Sequence, residues 1–521
     1  MTKKKLKKIP TSRDKGAPEE EVDFLFADLF SQEPKERQVL ADLMHAARHG
    51  HLYLQRKEPL QSKLITEVDE TVEWFDCLIG KWKDWYYLQR NWVIESRVAK
   101  ELQRLLYRDV KPLDLPKSNE LNQDQSEAAA KALQYGLVAI TGGPGTGKSY
   151  LIRKLVAAFL NQRQGKVMLA APTGKAIGQL KQKLTSEIAL FGDQLEIGTL
   201  HALLEIKRSD DLLWNDKKVT ADLFIVDECS MIDAALWAAL FKAVTSRTRL
   251  VLVGDQQQLP PVEAGTLFGE ICRYFENHQL PCYARLEKTL RTKQAELLQW
   301  AAAVRCGNIL AGAALQPGLD LNKWVERFPK PQAGKPNFAH LFDQLKSFRI
   351  LSCLRQGSFG VDAINEAISK RIRQCFRGKD YWPVPLLMTR SDRELGIFNG
   401  DTGLLIKQSG FPYIEHGDQV VFETETGYRE IPASLLPAFE YAYCLSVHKS
   451  QGSEYKQVAL VVPPGSEKFG REILYTGITR ARQSIEIIGD EAVIGNCLAH
   501  SSQKRSGLSK RLALTSPAAL F

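Results

Sequence analysis

The segment with the clearest chemical potential is a glycine-rich loop that ends in a lysine and a serine. In the stretch TGGPGTGKS, Gly142, Gly147, Lys148 and Ser149 fit the pattern G-x-x-x-x-G-K-[ST]. Glycines allow the backbone to pass close to phosphate groups, so that consecutive N–H groups point at the ligand. We therefore predict that Lys148 contacts the β- and γ-phosphates of a nucleotide, and that the Ser149 hydroxyl is a ligand of Mg²⁺.

The elements on either side of this loop are those that a phosphate site requires. The apolar run from Leu137 to Ile140 predicts a buried strand, and the apolar spacing from Tyr150 to Leu160 predicts a helix. The positive end of that helix adds to the field at the phosphates. A glycine-rich turn outside this context need bind nothing. Within it, we expect the whole loop to bind ATP: Gly142, Gly143, Pro144, Gly145, Thr146, Gly147, Lys148, Ser149 and Tyr150.

Two adjacent acids follow a later apolar run. The residues Leu223 to Val226 predict a strand, and Asp227 and Glu228 stand at its end. We predict that Asp227 holds Mg²⁺, directly or through water, and that Glu228 orients and deprotonates the attacking water. An Asp-Glu pair is common, so this prediction depends on its position after a strand and a phosphate loop.

Three further positions are candidates for the same site. Gln125 precedes the loop and is either part of a polar helix cap or a reader of the adenine edge, since an amide both donates and accepts. The strand Arg249 to Val253 runs into GDQQQLPPV, where a glutamine could sense the γ-phosphate. Arg480 is either half of a basic surface pair with Arg482 or an arginine finger that reaches the phosphates from a second domain.

Length and composition limit the classes of protein to consider. At 521 residues the chain is too long for one core and predicts several domains. We find no apolar run near the ~20 residues of a membrane span and no signal peptide, so we expect a cytoplasmic protein. The nine cysteines are scattered singly, which argues against a zinc or iron–sulfur site. A net charge of +9 fits a polyanionic partner such as nucleic acid.

The pattern of strands and helices predicts an α/β protein with two main domains. We expect a disordered basic tail at 1–16, an α-rich docking domain at 17–110 and a linker at 111–119. The first α/β domain then spans 120–345 and the second 346–510, followed by a tail at 511–521. A small hairpin is predicted between Leu203 and Leu223. Short runs separated by turns at about 397–440 predict a small inserted β-barrel.

In chain order, the motifs resemble those of the superfamily 1 DNA helicases. They are TGGPGTGKS, APTGKA, TLHALL, DECS, GDQQQLPPV, LEKTLR, SVHKSQGSE and YTGITRAR. Within this superfamily, RQGSFGVDAIN, TRSDRELGIFNGDTG and KRSGLSKRL are similar to the RecD family, the alpha subunits of RecBCD-type exonuclease V complexes. The resemblance covers roughly residues 120–510, and at 17–110 it depends mainly on YLQRNW. It implies two RecA-like P-loop domains with ATP and Mg²⁺ between them, and an SH3-like β insertion.

The resemblance also implies roles for individual residues. It assigns Lys148 and Ser149 to phosphates and Mg²⁺, Asp227 and Glu228 to metal and water, and Gln258 to sensing the γ-phosphate. Arg291 and Arg480 match two phosphate-contacting arginines, Gln125 the adenine reader and Glu454 a ribose contact. The motifs that face DNA contain Thr173, Lys175, Thr199, His201, His448 and Ser450.

The function implied is that of an ATP-dependent 5′-to-3′ translocase and helicase on single-stranded DNA, acting in double-strand break repair and recombination. Its partners would be DNA and RecB-like and RecC-like subunits, one of which carries the nuclease, since this chain has no evident nuclease carboxylate cluster. One alternative is a free-standing RecD-like helicase, although the N-terminal region lacks the larger extension of that type. The other is a mainly structural or regulatory subunit of the complex.

Overall fold

The computed structural model describes most of the chain. The described residues are 19–114, 120–162, 165–207, 211–289, 295–308, 315–316, 320–392, 394–409, 413–424, 427–502 and 504–514. The predicted basic tail at 1–16, most of the predicted linker at 111–119 and Arg291 lie outside them. Among the described residues, no helix is long and apolar enough to span a bilayer.

The N-terminal region combines helices with a small sheet. Its strands pair in the order β1-β4-β3-β2, and an aromatic core forms around the fully buried Trp92 and Tyr87. The prediction of an α-rich domain was therefore incomplete, because strands of two to four residues are too short to show an alternating pattern in the sequence. The elements are α1 Glu19–Asp28, α2 Pro34–Arg48, β1 Leu54–Gln55, β2 Ile65–Glu67, β3 Ile79–Trp82, β4 Trp85–Leu88 and α3 Gln89–Leu106.

A six-stranded sheet follows, in the order β10-β5-β9-β8-β6-β7, with all neighbours parallel. Its central strands are completely buried, which explains their unbroken apolar runs. The elements are α4 Gln123–Gln134, β5 Leu137–Gly142, α5 Lys148–Gln162, β6 Val167–Ala171, α6 Gly174–Lys183, α7 Thr185–Phe191, β7 Leu195–Thr199, α8 Leu200–Leu203, α9 Asp211–Trp214, β8 Leu223–Val226, α10 Ala234–Ala243, β9 Arg249–Gly254, α11 Leu267–Asn277 and β10 Tyr283–Leu286.

The hairpin predicted between Leu203 and Leu223 is wrong. The described part of this segment contains the short helix α9 and no strand before β8. Leu212 of α9 is buried in the core, and α9 packs against α10. The apolar residues of this segment therefore pack as a helical turn on the domain surface, not as paired strands.

The second α/β domain has a parallel sheet of five strands in the order β11-β20-β19-β12-β18. Several helices lie before β12 in the chain, and others connect the later strands of the sheet. The elements are α12 Ala295–Arg305, β11 Leu315–Gln316, α13 Leu321–Val325, α14 Phe338–Ser347, β12 Phe348–Ser352, α15 Val361–Gln374, β13 Trp382–Met388, β14 Thr402–Lys407, β15 Gln419–Thr424, β16 Gly427–Pro432, β17 Phe439–Tyr441, β18 Cys444–Ser446, β19 Tyr455–Val462, α16 Gly470–Ile478, β20 Ala481–Gly489, α17 Glu491–Ala499 and α18 Leu508–Leu514.

The inserted sheet differs from the predicted barrel in two ways. Its strands pair antiparallel in the order β16-β15-β14-β13-β17, so within the described residues the sheet is open, with β16 and β17 at its edges. It also includes β13, which starts well before residue 397. Barrel closure depends on which strands meet at the ends, and alternation within single strands carries no such information.

The predicted boundary between the second domain and a C-terminal tail at 511–521 is also wrong. Helix α18 packs against α3 of the N-terminal region, and Arg511 and Leu512 are buried there. The chain just before α18 pairs with the same region, since the Leu52 N–H donates to the Arg505 carbonyl at 2.8 Å. Residues 504–514 therefore pack against the N-terminal region.

Candidate functional site

The phosphate loop lies between β5 and α5. Gly145 and Gly147 have φ angles of +78° and +83°, a left-handed backbone that other residues adopt only with strain. The Lys148 ammonium donates to the carbonyls of Gly142 (2.7 Å) and Gly143 (3.1 Å). Because these partners are neutral carbonyl groups, the lysine charge is held over the loop without being neutralised by a carboxylate.

Gln125 is buried against this loop. Its Nε2 donates to the Thr146 carbonyl at 3.1 Å, and its Oε1 accepts from the Asn122 N–H at 3.2 Å. The Asn122 side chain in turn accepts from the Gln125 N–H, which completes a capping box at the start of α4. The helix-cap reading of Gln125 is therefore confirmed, and the same side chain lies beside the phosphate loop.

The two acids stand at the end of β8. Glu228 has φ +54°, a conformation that is rare for a residue with a side chain and that concentrates at functional sites. Its N–H donates to Asp227 Oδ1 at 2.9 Å. Burial raises the pKa of both groups, and the negative charge of Asp227 raises the pKa of Glu228 further. The positive charges of Lys148 and Arg480 oppose that rise.

A positive charge lies beside the two predicted metal ligands. The Lys183 ammonium donates to Ser149 Oγ at 3.0 Å, and its charge partly opposes the rise that burial causes in the pKa of Asp227. The Ser149 hydroxyl and the buried Asp227 carboxylate are therefore both influenced by the same ammonium group. Oxygen ligands of this kind suit Mg²⁺, which needs few protein ligands when phosphate oxygens complete its shell.

The loop after β9 carries the predicted phosphate sensor. Gln258 is buried, and its Nε2 donates to Asp255 Oδ2 at 3.3 Å. Its Oε1 is buried without a hydrogen-bond partner among the described residues. Since unsatisfied buried acceptors are costly, this oxygen is suited to a ligand or water that enters the cleft.

Arg480 and Arg482 lie in different environments. Arg480 is buried, and its guanidinium donates to the Thr476 carbonyl (3.0 Å), the Ser453 carbonyl (3.3 Å) and Thr479 Oγ1 (3.1 Å). Arg482 is largely exposed and pairs with Glu454 at 2.8 Å. The two residues are thus not a surface pair, and the charge of Arg480 is among those that oppose the raised pKa of Glu228.

Of the predicted DNA contacts, the threonines lie together. β6 and β7 are neighbours. Thr199 is the last residue of β7 and pairs with Ala171, the last residue of β6, and Thr173 follows two positions later. Each hydroxyl accepts the N–H of the residue three positions on, Ala176 or Ala202, and so caps a helix. His201 is exposed and Lys175 is half-buried near them.

His448 and Ser450 lie elsewhere, in the second domain. Ser450 is fully buried and its hydroxyl donates to the Val447 carbonyl at 2.7 Å, so in this structure it cannot reach DNA. His448 packs on Phe469 with the ring centres 5.2 Å apart. Burial, together with the charges of Lys504 and Lys468, lowers the pKa of His448 to about 4, which leaves the ring neutral at pH 7.

Four residues of the site were not singled out from the sequence. Tyr475 donates to Asp255 across the domain boundary, and Lys183 contacts Ser149. Phe398 is 44% exposed, and a Cβ placed on Gly174 would lie 2.9 Å from its Cβ. Three of these residues could have been found from the sequence. Asp255 and Tyr475 lie within the motifs GDQQQLPPV and YTGITRAR, and Phe398 is an aromatic residue in the polar loop FNGDTG.

Comparison with known proteins finds matches in both α/β domains. The model of an AAA domain matches residues 125–264, and that of a UvrD-like helicase C-terminal domain matches 441–487. The RecBCD enzyme subunit RecD of Mycolicibacterium smegmatis is 30% identical over 476 residues, which cover 82% of each chain. The chain belongs to the RecD family. The RecD subunit of Haemophilus influenzae is 26% identical over 524 residues, covering 82% of this chain and 80% of its own.

Membership of the RecD family confirms the resemblance read from the motifs. A more distant relative, the ATP-dependent RecD2 DNA helicase of Deinococcus radiodurans, is 28% identical, covering 70% of this chain and 48% of its own. Among solved structures, the Pif1 helicase of Candida albicans covers 77% of the chain at 15% identity with a TM-score of 0.44. Lys148 and Glu228 fall within the AAA match, and Glu454 and Arg480 within the UvrD-like match.

Proposed function

We propose that this RecD-family chain is an ATP-dependent 5′-to-3′ DNA translocase and helicase, and the motor subunit of a RecBCD-type helicase–nuclease that acts in break repair and recombination. The observation that carries the proposal is the direct contact between the two domains beside the phosphate loop, where Tyr475 of the second domain donates to Asp255 of the first at 2.9 Å. Glu228, at the end of β8, is influenced electrostatically both by Lys148 of the phosphate loop and by Arg480 of the second domain. Catalysis between two P-loop domains requires this kind of convergence.

Each residue of the site has a separate role in the hydrolysis of ATP in this proposal. The phosphate loop and Lys148 hold the β- and γ-phosphates, while Gln125 and Glu454 contact the base and the ribose. Ser149 and Asp227 hold Mg²⁺, which neutralises charge on the phosphate oxygens when bound. Glu228 takes the proton of the attacking water, a role that its raised pKa favours. Gln258 senses the γ-phosphate, and Arg480 and Arg291 stabilise the charge that develops on it.

Contacts between the domains support a cycle of closing and opening. The Leu259 N–H donates to Thr476 Oγ1 at 2.9 Å, and Gln451 Nε2 donates to the Leu259 carbonyl at 3.1 Å. Gln179 of α6 also donates to the Gly452 carbonyl. ATP would draw Arg480 towards the phosphates through these contacts, and hydrolysis with product release would loosen them. Each cycle would then shift the grip on DNA by a small step.

The DNA strand would run along the sheet edge where Thr173 and Thr199 lie. Lys175 and backbone N–H groups would contact phosphates there. His201 of the first domain and His448 of the second would contact the same DNA strand. Phe398 presents an exposed ring beside Gly174, a geometry that suits base stacking. Such binding would be salt-dependent and largely independent of sequence.

The N-terminal region is the proposed docking site for RecB-like and RecC-like partners, one of which supplies the nuclease. The exposed apolar residues Leu25, Leu29 and Phe30 at the first helix support this, because large apolar side chains clustered at a surface often mark an interface. Such a complex would work on chromosomal DNA in the cytoplasm.

The test is ATP turnover by the purified chain with and without single-stranded DNA, repeated on the complex co-purified with its partners. Lys148→Ala is the inactive control, because it removes the only side-chain charge on the phosphate loop. Strong stimulation by DNA that the variant lacks supports a motor. Equal turnover by the wild type and Lys148→Ala in the complex would show that the chain is mainly structural.

A further inference from the structure

One carboxylate oxygen joins the phosphate sensor to the second domain. Asp255 Oδ2 accepts from Gln258 Nε2 at 3.3 Å and from the Tyr475 hydroxyl at 2.9 Å. The other oxygen, Oδ1, accepts from the Gln257 N–H at 3.0 Å. Asp255 and Tyr475 are both buried, so these donors replace water for the carboxylate.

Tyr475 also lies against the phosphate loop. A Cβ placed on Gly143 would be 3.3 Å from the Tyr475 hydroxyl oxygen. The hydroxyl therefore stands where three segments meet: the phosphate loop, the sensor loop after β9 and helix α16. A group at this junction experiences any movement of one segment relative to the others.

Two adjacent residues fix the last turn of α16 to the sensor loop. Tyr475 binds Asp255, and the hydroxyl of its neighbour Thr476 accepts the Leu259 N–H at 2.9 Å. Arg480 follows at the end of the same helix, and its Nε donates to the Thr476 carbonyl at 3.0 Å. The position of the Arg480 guanidinium is thus linked through one helical turn to the loop that carries Gln258.

We propose that Tyr475 is a positioning residue that couples the phosphate sensor Gln258 to Arg480 through Asp255. When the Gln258 amide turns to a γ-phosphate, Asp255 Oδ2 loses one of its two side-chain donors. The buried carboxylate then depends more strongly on Tyr475, because an ionised group with fewer donors binds each remaining one more tightly. The helix α16 is held against the sensor loop, and Arg480 stays aimed at the phosphate until that group leaves.

This inference rests on the proposed function, because it assumes that the cleft hydrolyses ATP. It makes Tyr475 important for the rate of the chemical step and not for the binding of ATP. The substitution Tyr475→Phe removes the hydroxyl and keeps the ring that packs in the core. Tyr443→Phe is the matched control, since Tyr443 is equally buried in this domain and belongs to a different core cluster.

The experiment measures steady-state ATP hydrolysis with saturating single-stranded DNA. For Tyr475→Phe we expect kcat to fall about tenfold or more, because the variant loses one hydrogen bond to a charged group. KM for ATP should stay within about twofold of the wild-type value. Tyr443→Phe should retain the wild-type kcat. A second readout is the ratio of the affinities for ATPγS and ADP. The wild type should bind ATPγS more tightly than ADP, and Tyr475→Phe should lose this preference.

A double-mutant cycle separates coupling from simple destabilisation. Tyr475→Phe and Asp255→Asn should each lower kcat, and the double variant should be no slower than the slower single variant. If Tyr475→Phe fails to fold, Thr476→Val tests the same docking by removing the second bond to the loop. A wild-type kcat in Tyr475→Phe, or fully additive effects in the cycle, would overturn the inference. A wild type that does not hydrolyse ATP would instead overturn the proposed function.

Discussion

Glu95 and Arg511 form a buried ion pair that joins two helices 416 positions apart in the chain. Arg511 Nε lies 2.8 Å from Glu95 Oε1, and the side chains are 3% and 0% exposed. The guanidinium also donates to Ser96 Oγ and lies 3.7 Å from the ring centre of Trp92. Helix α18 is therefore packed into the aromatic core of the N-terminal region.

We predict that Arg511→Ala strongly lowers the free energy of unfolding of the protein. Removing Arg511 leaves the buried Glu95 carboxylate without its charge partner, although the Tyr87 and Ser506 hydroxyls and the Gly507 N–H still donate to it. Loss of one partner costs about 3–5 kcal/mol in comparable buried pairs. Lys510→Ala is the control in the same helix, because Lys510 only lies over the Trp85 ring and should cost about 1 kcal/mol or less. Urea unfolding followed by tryptophan fluorescence measures both. Equal losses in the two variants would show that the ion pair is not what holds α18.

Glu228→Gln should bind nucleotide and fail to hydrolyse it. The amide keeps the size of the side chain but cannot accept the proton of the attacking water, and loss of a general base costs about 10²–10⁴-fold in rate. Binding of a fluorescent ATP analogue and steady-state turnover test the two halves of this prediction. Glu196→Gln, an exposed position on β7, is the control and should leave both unchanged. Hydrolysis by Glu228→Gln at the normal rate would contradict the general-base assignment.

The same substitution should stabilise the fold in a way that depends on pH. Because burial and Asp227 raise the pKa of Glu228, the ionised side chain at neutral pH disfavours the folded state. Glu228→Gln should therefore raise the unfolding temperature at pH 7. The gain should shrink as the pH falls through the raised folded-state pKa, and it should vanish below the pKa of the unfolded chain. Thermal unfolding of both proteins across this range checks the sign, and a constant or inverted difference would refute it.

Phe398→Ala should weaken binding to single-stranded DNA without changing its dependence on salt. Stacking of one base on an aromatic ring is worth about 1–3 kcal/mol and releases no counterions. Fluorescence anisotropy with a labelled oligonucleotide at several salt concentrations gives both the affinity and the slope. Tyr107→Ala, an exposed aromatic residue at the end of α3, is the control and should bind DNA normally. Unchanged affinity in Phe398→Ala would remove this residue from the proposed DNA path.

The sequence predicted best those features that are encoded locally. The strands β5, β8 and β9 were predicted within two residues of their observed ends, because completely buried parallel strands are continuous apolar runs. The phosphate loop was found for a similar reason, since its glycines and lysine are adjacent. These features need no knowledge of which distant segments meet.

What the sequence did not predict depends on distant contacts. The bond from Tyr475 to Asp255 links residues 220 positions apart, and neither residue type at its place signals the other. Arg511 was predicted to lie in a C-terminal tail, because only the folded chain shows that Glu95 and Trp92 surround it. The open inserted sheet was missed for the same reason, since closure depends on the pairing of edge strands.

The most direct test of the account is directional movement on DNA. The measurement is ATP-dependent displacement of streptavidin from the 3′ or the 5′ end of a biotinylated single strand, with the wild-type complex and with Lys148→Ala in the same complex. We predict that the wild type displaces streptavidin from the 3′ end and that Lys148→Ala loses this activity while any activity at the 5′ end remains. Undiminished displacement from the 3′ end by Lys148→Ala would contradict the claim that this chain is a 5′-to-3′ motor.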